Sequence, residues 1–86
     1  MISFKNRLVW ITGASSGIGK ELALQLAEEG AHLIISSNDA QELSHVADEC
    51  REFTSFCQEY PFDLSSPVEV KNTAETIINT YGQIYL

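Results

Sequence analysis

The chain has 86 residues and a formal net charge of −7, from five basic and twelve acidic side chains. This length is enough for one domain at most, and such a domain buries only about 60–65 % of its unfolded surface. The negative charge disfavours nucleic-acid backbones and anionic membrane surfaces as partners. No apolar run reaches the roughly 18–20 residues of a membrane span or has the pattern of a signal peptide, so we expect a cytoplasmic protein.

The first predicted element is a strand over residues 8–12, which are mostly apolar and too few for a helix. It fits a parallel strand buried on both faces. The stretch Thr12-Gly13-Ala14-Ser15-Ser16-Gly17-Ile18-Gly19 follows and leads into a helix that Gly30 ends. Five residues of this helix are predicted to share its buried side: Ile18, Leu22, Ala23, Leu26 and Ala27.

The glycine-rich turn before the first helix predicts a phosphate site. A helix N-terminus leaves its first N–H groups without intrahelical partners and carries a partial positive charge. Gly13 allows the turn out of the strand, Gly17 removes a side chain where a pyrophosphate would lie, and Gly19 lets the helix pack closely. A turn that needs glycine for steric reasons alone is the alternative. Ala14 and Glu21 exclude the loop of nucleoside triphosphatases, which requires Gly and then Ser or Thr at these positions.

A second strand is predicted over residues 32–36 and a second helix from Asp39 onwards. Asp39 and Glu42 have the spacing of a capping box, in which Asp39 accepts backbone N–H groups and Glu42 reaches back. The residues expected in the core along this helix are Leu43, Val46, Ala47, Cys50 and Phe53. A third strand over residues 56–62 is polar and contains Pro61, so we expect it at the edge of the sheet.

A third helix is predicted to begin with Ser66 as its cap, Pro67 in the first position and Glu69 three residues after the cap. Gly82 ends it. The residues predicted to be buried along it are Val70, Ala74, Ile77, Ile78 and Tyr81. Residues 83–86 have the pattern of a fourth strand.

Strands and helices therefore alternate along the whole chain, which indicates an α/β fold. We predict a Rossmann-like half-domain with a parallel sheet of about four strands in the order 3-2-1-4. The first two helices are expected on one face of the sheet and the third on the other.

The cysteines and histidines do not predict a metal site. Cys50 and Cys57 have neither metal-ligand nor C-x-x-C spacing and are expected to be reduced thiols. His32 and His45 stand alone, without carboxylates or cysteines at ligand spacing.

The octet at residues 12–19, G-x-x-x-G-x-G after a Thr, resembles the cofactor fingerprint of the short-chain dehydrogenase/reductase family. The resemblance covers nearly the whole chain and implies a nicotinamide cofactor across the carboxyl ends of the strands. It assigns the pyrophosphate and ribose-binding loop to Gly13, Ser15, Ser16, Gly17, Ile18 and Gly19. Asp63 and Leu64 match the family's Asp-plus-apolar pair, in which the carboxylate accepts from the adenine amino group. A turn or helix cap at Asp63 is the alternative.

The end of the second strand is the position that separates NAD from NADP, because an acidic residue there binds both ribose hydroxyls and an Arg favours the extra phosphate. In this chain that position holds Ser37, followed by Asn38. A small hydroxyl residue leaves room for a 2′-phosphate, so NADP is the predicted cofactor and NAD the alternative. Counting from the loop points instead to Asp39, which is also the predicted cap of the second helix.

The resemblance also implies a catalytic Ser with a Tyr-x-x-x-Lys pair, and this pair does not occur in the 86 residues. Tyr60 is followed four residues on by Leu64, and Tyr81 by Tyr85. We therefore expect residues 1–86 to be a partial dinucleotide-binding domain, the N-terminal segment of an NAD(P)-dependent oxidoreductase of alcohols or carbonyls. This segment would be truncated before the catalytic half and inactive alone.

The alternative function is a self-standing nucleotide-binding or interaction module without catalysis. It would self-associate through the edge of the fourth strand, where apolar side chains lack a covering element.

Overall fold

The structure is a computed structural model that describes residues 4–82, 84 and 85. Its elements alternate along the chain as β1 (Leu8–Thr12), α1 (Gly17–Glu28), β2 (His32–Ser36), α2 (Ala40–Cys50), β3 (Cys57–Glu59) and α3 (Pro67–Tyr81). The three strands are parallel and lie in the order β1-β2-β3. The α/β class and the edge position of β3 are thereby confirmed.

The sheet carries a core on each face. Val9 and Ile11 of β1 belong to the core shared with α1 and α2. Trp10, which lies between them in sequence, belongs to the core on the other face, together with Ile34 of β2 and Ile77 of α3. Alternate side chains of a parallel strand thus pack under different helices, which is why these strands are apolar throughout. The predicted distribution of the helices over the two faces is confirmed.

Strand β3 is shorter than the predicted range 56–62. It pairs with β2 over three positions only. The N–H of Tyr60 still donates to a carbonyl of β2 at 2.9 Å, and the N–H of Phe62 donates to the Ser37 carbonyl at 3.1 Å. Pro61, between them, has no N–H to donate, so the regular ladder ends before it.

The predicted fourth strand, from Gln83 to Leu86, stays a prediction, since both of these residues lie outside the described part of the chain. Tyr85 forms a single parallel bridge to β1. Its carbonyl accepts from the Trp10 N–H at 2.7 Å, and its N–H donates to the Leu8 carbonyl at 2.9 Å. This contact lies at the edge of β1 that faces away from β2.

Two residues of α1 that were predicted to be buried are exposed. Ile18 is 88 % exposed and Leu22 is also exposed, whereas Ala23, Leu26 and Ala27 are buried as predicted. Ile18 lies in the first turn, directly after the loop, and Leu22 lines a cavity beside β1. Helical spacing identifies a common face, but how far the sheet extends beneath that face depends on the neighbouring strands.

Helix α2 confirms its predicted cap in part. The Asp39 carboxylate accepts the Glu42 N–H at 3.1 Å. The returning half of the capping box is wrong, because the Asp39 N–H donates to the Ser37 hydroxyl at 2.8 Å instead. The prediction for Phe53 is also wrong, since the helix ends at Cys50 and Phe53 lies exposed in the turn that follows.

Helix α3 begins and ends as predicted. The Ser66 hydroxyl accepts the Glu69 N–H at 3.3 Å, and Gly82 ends the helix with φ of +79°. Of the five residues predicted to be buried, Ile77 is fully buried and Ala74 and Tyr81 are half-buried against the same core.

Val70 and Ile78 of α3 are exposed, which contradicts their predicted burial. The helix packs on the face of the sheet through Ile77, and no element within the described residues covers its outer side. The apolar residues of α3 thus cover a wider part of its circumference than the part that contacts the sheet.

Candidate functional site

The glycine loop, defined as residues 13–16, lies at the carboxyl edge of β1 and β2. Gly13 has φ of +66°, a conformation that side chains disfavour, and it turns the chain out of β1. The Ala14 N–H donates to the Ser36 carbonyl at 3.1 Å, and Ala14 is fully buried. The loop is therefore fixed to the end of the neighbouring strand.

Two glycines at the start of α1 serve different purposes. A Cβ on Gly19 would collide with the carbonyl oxygen of Gly13, so only glycine permits this close packing of helix and loop. Gly17 has φ of +60°, and a Cβ built on it would meet no atom within 4 Å. The space in front of Gly17 is open, as an approaching phosphate requires.

The N-terminus of α1 is uncapped. Ser16 precedes the helix in an extended conformation, and its side chain makes no capping hydrogen bond. The first backbone bond of the helix runs from the Lys20 N–H to the Ser16 carbonyl at 3.3 Å. Within the described residues, the N–H groups of Gly17, Ile18 and Gly19 therefore have no acceptor. These donors, at the positive end of the helix dipole, form a site for an anion.

Ser37 lies beside this loop and is buried, with 1 % of its surface exposed. Its hydroxyl donates to the Ser15 hydroxyl at 2.8 Å and accepts the Asp39 N–H at 2.8 Å. Asn38 is exposed and so is Asp39, whose carboxylate caps α2. The structure thus places Asn38 and Asp39 on the surface at the end of β2 and Ser37 beneath it.

Asp63 and Leu64 follow β3 and reach the same edge, because the Phe62 N–H bonds to the Ser37 carbonyl. One carboxylate oxygen of Asp63 accepts the Ser65 hydroxyl at 2.6 Å and the Ser65 N–H at 2.9 Å. These two donors lower the pKa of Asp63. The turn that was the alternative for Asp63 is therefore present, and it engages one oxygen only. Leu64 is exposed beside it.

The sequence analysis missed the part that Ser36 plays in holding the loop. Its hydroxyl accepts from the indole Nε1 of Trp10 at 2.9 Å inside the core, while its carbonyl holds Ala14. The sequence feature that could have indicated this role is the hydroxyl of Ser36 at the last position of an otherwise apolar strand. Only the register, which pairs Trp10 with Ile34, brings that hydroxyl beside the indole.

Tyr60 and Tyr81, the last residue of α3, are half-buried against the core on that face of the sheet and pair with each other, their hydroxyls 3.0 Å apart. This hydrogen bond raises the pKa of Tyr81 to about 12. A tyrosine that exchanges protons near neutral pH needs a lowered pKa, so the shift has the opposite sign from the one required.

A cavity of about 450 Å³ opens beside β1, apart from the uncapped N–H groups. Its lining is mainly apolar and includes Phe4, Val9, Ile11, Leu22, Leu26 and Tyr85. Among residues 4–82, 84 and 85, no helix is both long and apolar enough to cross a membrane. The same residues contain no group of three His, Cys, Asp or Glu side chains placed to hold a metal ion.

A parallel α/β sheet with an open, glycine-lined helix N-terminus at its carboxyl edge defines a dinucleotide-binding class of fold. The family model for short chain dehydrogenases matches residues 7–86. The chain therefore belongs to the short-chain dehydrogenase/reductase family, an oxidoreductase family, as the glycine octet predicted.

Among curated relatives, mouse Dehydrogenase/reductase SDR family member 7 is 37 % identical over 81 residues, which are 90 % of this chain and 24 % of the relative. The L-rhamnose 1-dehydrogenase (NADP(+)) of Thermoplasma acidophilum is 35 % identical over 88 residues, with 100 % of this chain and 34 % of that enzyme covered. The chain thus spans about a quarter to a third of the length of these relatives.

Solved structures share the fold closely. The NADP complex of Pseudomonas aeruginosa RhlG matches with a TM-score of 0.84 and 30 % identity over 95 % of this chain and 33 % of that one. L-sorbose reductase from Gluconobacter frateurii, solved with NADPH and L-sorbose, matches with a TM-score of 0.85 and 29 % identity over 95 % of this chain and 32 % of that one.

Proposed function

We propose that the chain binds the adenosine and pyrophosphate part of a nicotinamide dinucleotide, as the cofactor-binding segment of an oxidoreductase of alcohols or carbonyls. The observation that carries the proposal is the open N-terminus of α1, where three successive N–H groups lack acceptors among the described residues and a Cβ built on Gly17 would meet no neighbouring atom within 4 Å. A pyrophosphate there would gain hydrogen bonds and a favourable helix dipole. When bound, the nicotinamide ring supplies hydride transfer, while the residues of this chain hold the other end of the molecule.

The proposed contacts follow the edge of the sheet. The pyrophosphate and its ribose would meet Gly13, Ser15, Ser16, Gly17, Ile18 and Gly19. Asp63 would accept from the adenine amino group through the carboxylate oxygen that Ser65 leaves free, since Ser65 engages only Oδ1. Exposed Leu64 offers an apolar surface next to it.

NADP is the proposed cofactor, and NAD is the alternative. The end of β2 carries Ser37 and Asn38, neither of which is charged, so no carboxylate at these two positions repels a 2′-phosphate. The NADP in the name of the Thermoplasma relative and in the Pseudomonas and Gluconobacter complexes supports this choice. The exposed Asp39 carboxylate works against it, because capping α2 engages only its Oδ1 and its negative charge remains.

We further propose that the 86 residues do not catalyse the redox step alone. The sequence has no Tyr-x-x-x-Lys pair. Tyr60 and Tyr81 are hydrogen-bonded to each other at the edge of the core, and the raised pKa of Tyr81 makes it a poor proton donor or acceptor near neutral pH.

Calorimetric titration of the chain with NADPH and NADH tests the binding proposal. Gly17→Ala adds a methyl group at the anion site and should weaken binding by at least about tenfold. Gly82→Ala is the matched control, because Gly82 also has a positive φ and open space around it but lies at the far end of α3. No binding of either dinucleotide at millimolar concentration would refute the proposal. An equal loss of affinity in Gly17→Ala and Gly82→Ala would also refute it.

The same titration tests the cofactor preference. We expect NADPH to bind more tightly than NADH, and Asn38→Arg to widen the difference by about tenfold, because it adds a cation where a 2′-phosphate is proposed to lie. Asn79→Arg adds the same charge on an exposed part of α3 and should leave the ratio unchanged. Tighter binding of NADH by the unmodified chain would contradict the preference for NADP.

The cavity beside β1 favours a second function, self-association as an interaction module. The cavity lining is mainly apolar, and among the described residues only Tyr85 pairs with this edge of the sheet, through one bridge. We expect concentration-dependent dimers in sedimentation equilibrium, and Leu22→Glu, which places a charge in the cavity wall, to abolish them. A monomer at all concentrations would contradict this second function.

A further inference from the structure

Ser37 links two parts of the site that are far apart in sequence. Its hydroxyl reaches back 22 residues to Ser15 in the glycine loop and forward to the N–H of Asp39 at the start of α2. Only 1 % of Ser37 is exposed, so its side chain is covered by protein. A group placed in this way does not meet a ligand directly.

The direction of the hydrogen bonds determines what Ser37 does. A hydroxyl has one proton and two acceptor sites. Ser37 accepts the Asp39 N–H and gives its proton to Ser15. Ser15 accepts that bond, so its own proton remains available, and Ser15 is half-buried in the loop beside the open end of α1.

The three groups form a chain that runs from the Asp39 N–H through the Ser37 hydroxyl to the Ser15 hydroxyl. Hydrogen bonds in such a chain polarise one another, which strengthens the last donor. That donor belongs to Ser15, at the site proposed for the ribose and pyrophosphate.

We infer that Ser37 is a positioning residue, which fixes the Ser15 hydroxyl as a donor toward the bound dinucleotide and does not itself touch the cofactor. The inference rests on the proposed function and deepens it. It differs from the sequence-based expectation that Ser37 borders a 2′-phosphate, because it assigns no selectivity for NADP over NAD to the Ser37 hydroxyl.

Calorimetry on Ser37→Ala, Ser15→Ala and the double variant tests the inference. Each single substitution removes a hydrogen bond of the series from Asp39 to Ser15. It should weaken the binding of NADPH and of NADH by the same factor, roughly fivefold. The double variant should bind no more weakly than Ser15→Ala alone, because both substitutions interrupt the same series of hydrogen bonds. A loss confined to NADPH in Ser37→Ala would show direct contact with the 2′-phosphate and overturn the inference. Additive losses in the double variant would also overturn it.

Thr54→Val is the matched control. Thr54 is buried and, like Ser37, makes a hydrogen bond through its hydroxyl, in its case to the Ala31 carbonyl at 2.6 Å. Ala31 precedes β2, at the end of the strand opposite to the glycine loop, so Thr54→Val should lower stability but leave the affinity for both dinucleotides within about twofold. If Thr54→Val weakens binding as much as Ser37→Ala does, general destabilisation explains the loss and the inference fails.

Amide hydrogen exchange separates this inference from the proposed function. Without ligand, Ser37→Ala should raise the exchange rate of the Asp39 amide, which loses its acceptor, and of the Ala14 amide in the loosened loop, by about tenfold. Unchanged exchange overturns the inference whatever the chain binds. Faster exchange in a chain that binds neither dinucleotide refutes the proposed function and supports the link between Ser37 and the loop.

Discussion

The helices of this protein begin in two different ways. In α2 and α3 a side-chain oxygen, from Asp39 or Ser66, accepts the N–H three residues on, and a glutamate lies in the first turn. In α1 the corresponding residue, Ser16, makes no capping bond, and the first turn has no acidic residue. Two helices carry a side-chain cap that accepts one of their first N–H groups, and α1, at the edge of the sheet, has no such cap.

The difference shows how an anion site of the kind proposed at α1 would cost local stability. A side-chain cap contributes about 1 kcal/mol, which α2 and α3 gain and α1 does not. Other contacts hold α1 in place: the Ala14 N–H bonds to the Ser36 carbonyl, and Gly19 packs against Gly13. The free N–H groups of α1 stay available because the surrounding structure, rather than a cap, fixes the helix.

The largest effect is expected from the contact that replaces a cap on α1. Gly19→Ala places a methyl group against the Gly13 carbonyl and should lower the free energy of unfolding by about 3 kcal/mol. Gly82→Ala, which meets no neighbouring atom but has a positive φ, should cost about 1 kcal/mol. Urea unfolding of both variants measures the difference. Equal costs would show that α1 is not held by close packing at Gly19.

Removal of the caps tests the comparison directly. Asp39→Ala and Ser66→Ala should each lower the free energy of unfolding by about 1 kcal/mol, because each leaves an N–H without its acceptor. Ser16→Ala should change it by less than about 0.3 kcal/mol, since the Ser16 side chain caps nothing. The same urea unfolding experiment applies. A loss of similar size in Ser16→Ala would mean that α1 is capped in solution and that the two kinds of helix start are not different.

An added anion should also distinguish the start of α1 from those of α2 and α3, with a smaller effect on stability than the substitutions above. Inorganic pyrophosphate should shift the backbone amide resonances of Gly17, Ile18 and Gly19, and leave those of Glu42 and Glu69 in place, because these two already have acceptors. At a concentration equal to its Kd, it should stabilise the fold by about 0.4 kcal/mol. Shifts of equal size at all three helix starts would indicate non-specific binding and contradict the assignment.

The smallest effect concerns pH in the turn that leads into α3, where Asp63 bonds to Ser65. The Ser65 hydroxyl and N–H lower the pKa of Asp63 in the folded state. A lowered folded-state pKa contributes stability that is present above the ordinary pKa and is lost as the pH falls through the folded value, below about pH 4. The Ser65 amide resonance should follow this titration, and Asp63→Asn should abolish it. The Gly17 amide should not respond, since no carboxylate caps α1. A Gly17 titration that follows Asp63 would contradict the separation of the two helix starts.

The order of the elements could be predicted from the sequence because the signals that begin and end each element are local. Each signal depends on a few neighbouring residues, as at the caps Asp39 and Ser66, the stop at Gly82 and the apolar run of β1. Burial was less predictable. Helical spacing assigned Ile78 to a buried face, yet it is 53 % exposed, because the described part of the chain places nothing over it.

The sequence by itself determined the positions of Gly13, Gly17 and Gly19 and the family that their spacing marks, since backbone conformation and close approach limit those positions to glycine. Only the tertiary structure decided how Ser37 is used. The parallel register of β1 and β2 sets Thr12 against Ser36, and so brings the loop after one strand beside the residue after the other. A hydrogen bond between residues 22 positions apart has no local signature, because its geometry exists only once the two strands have paired.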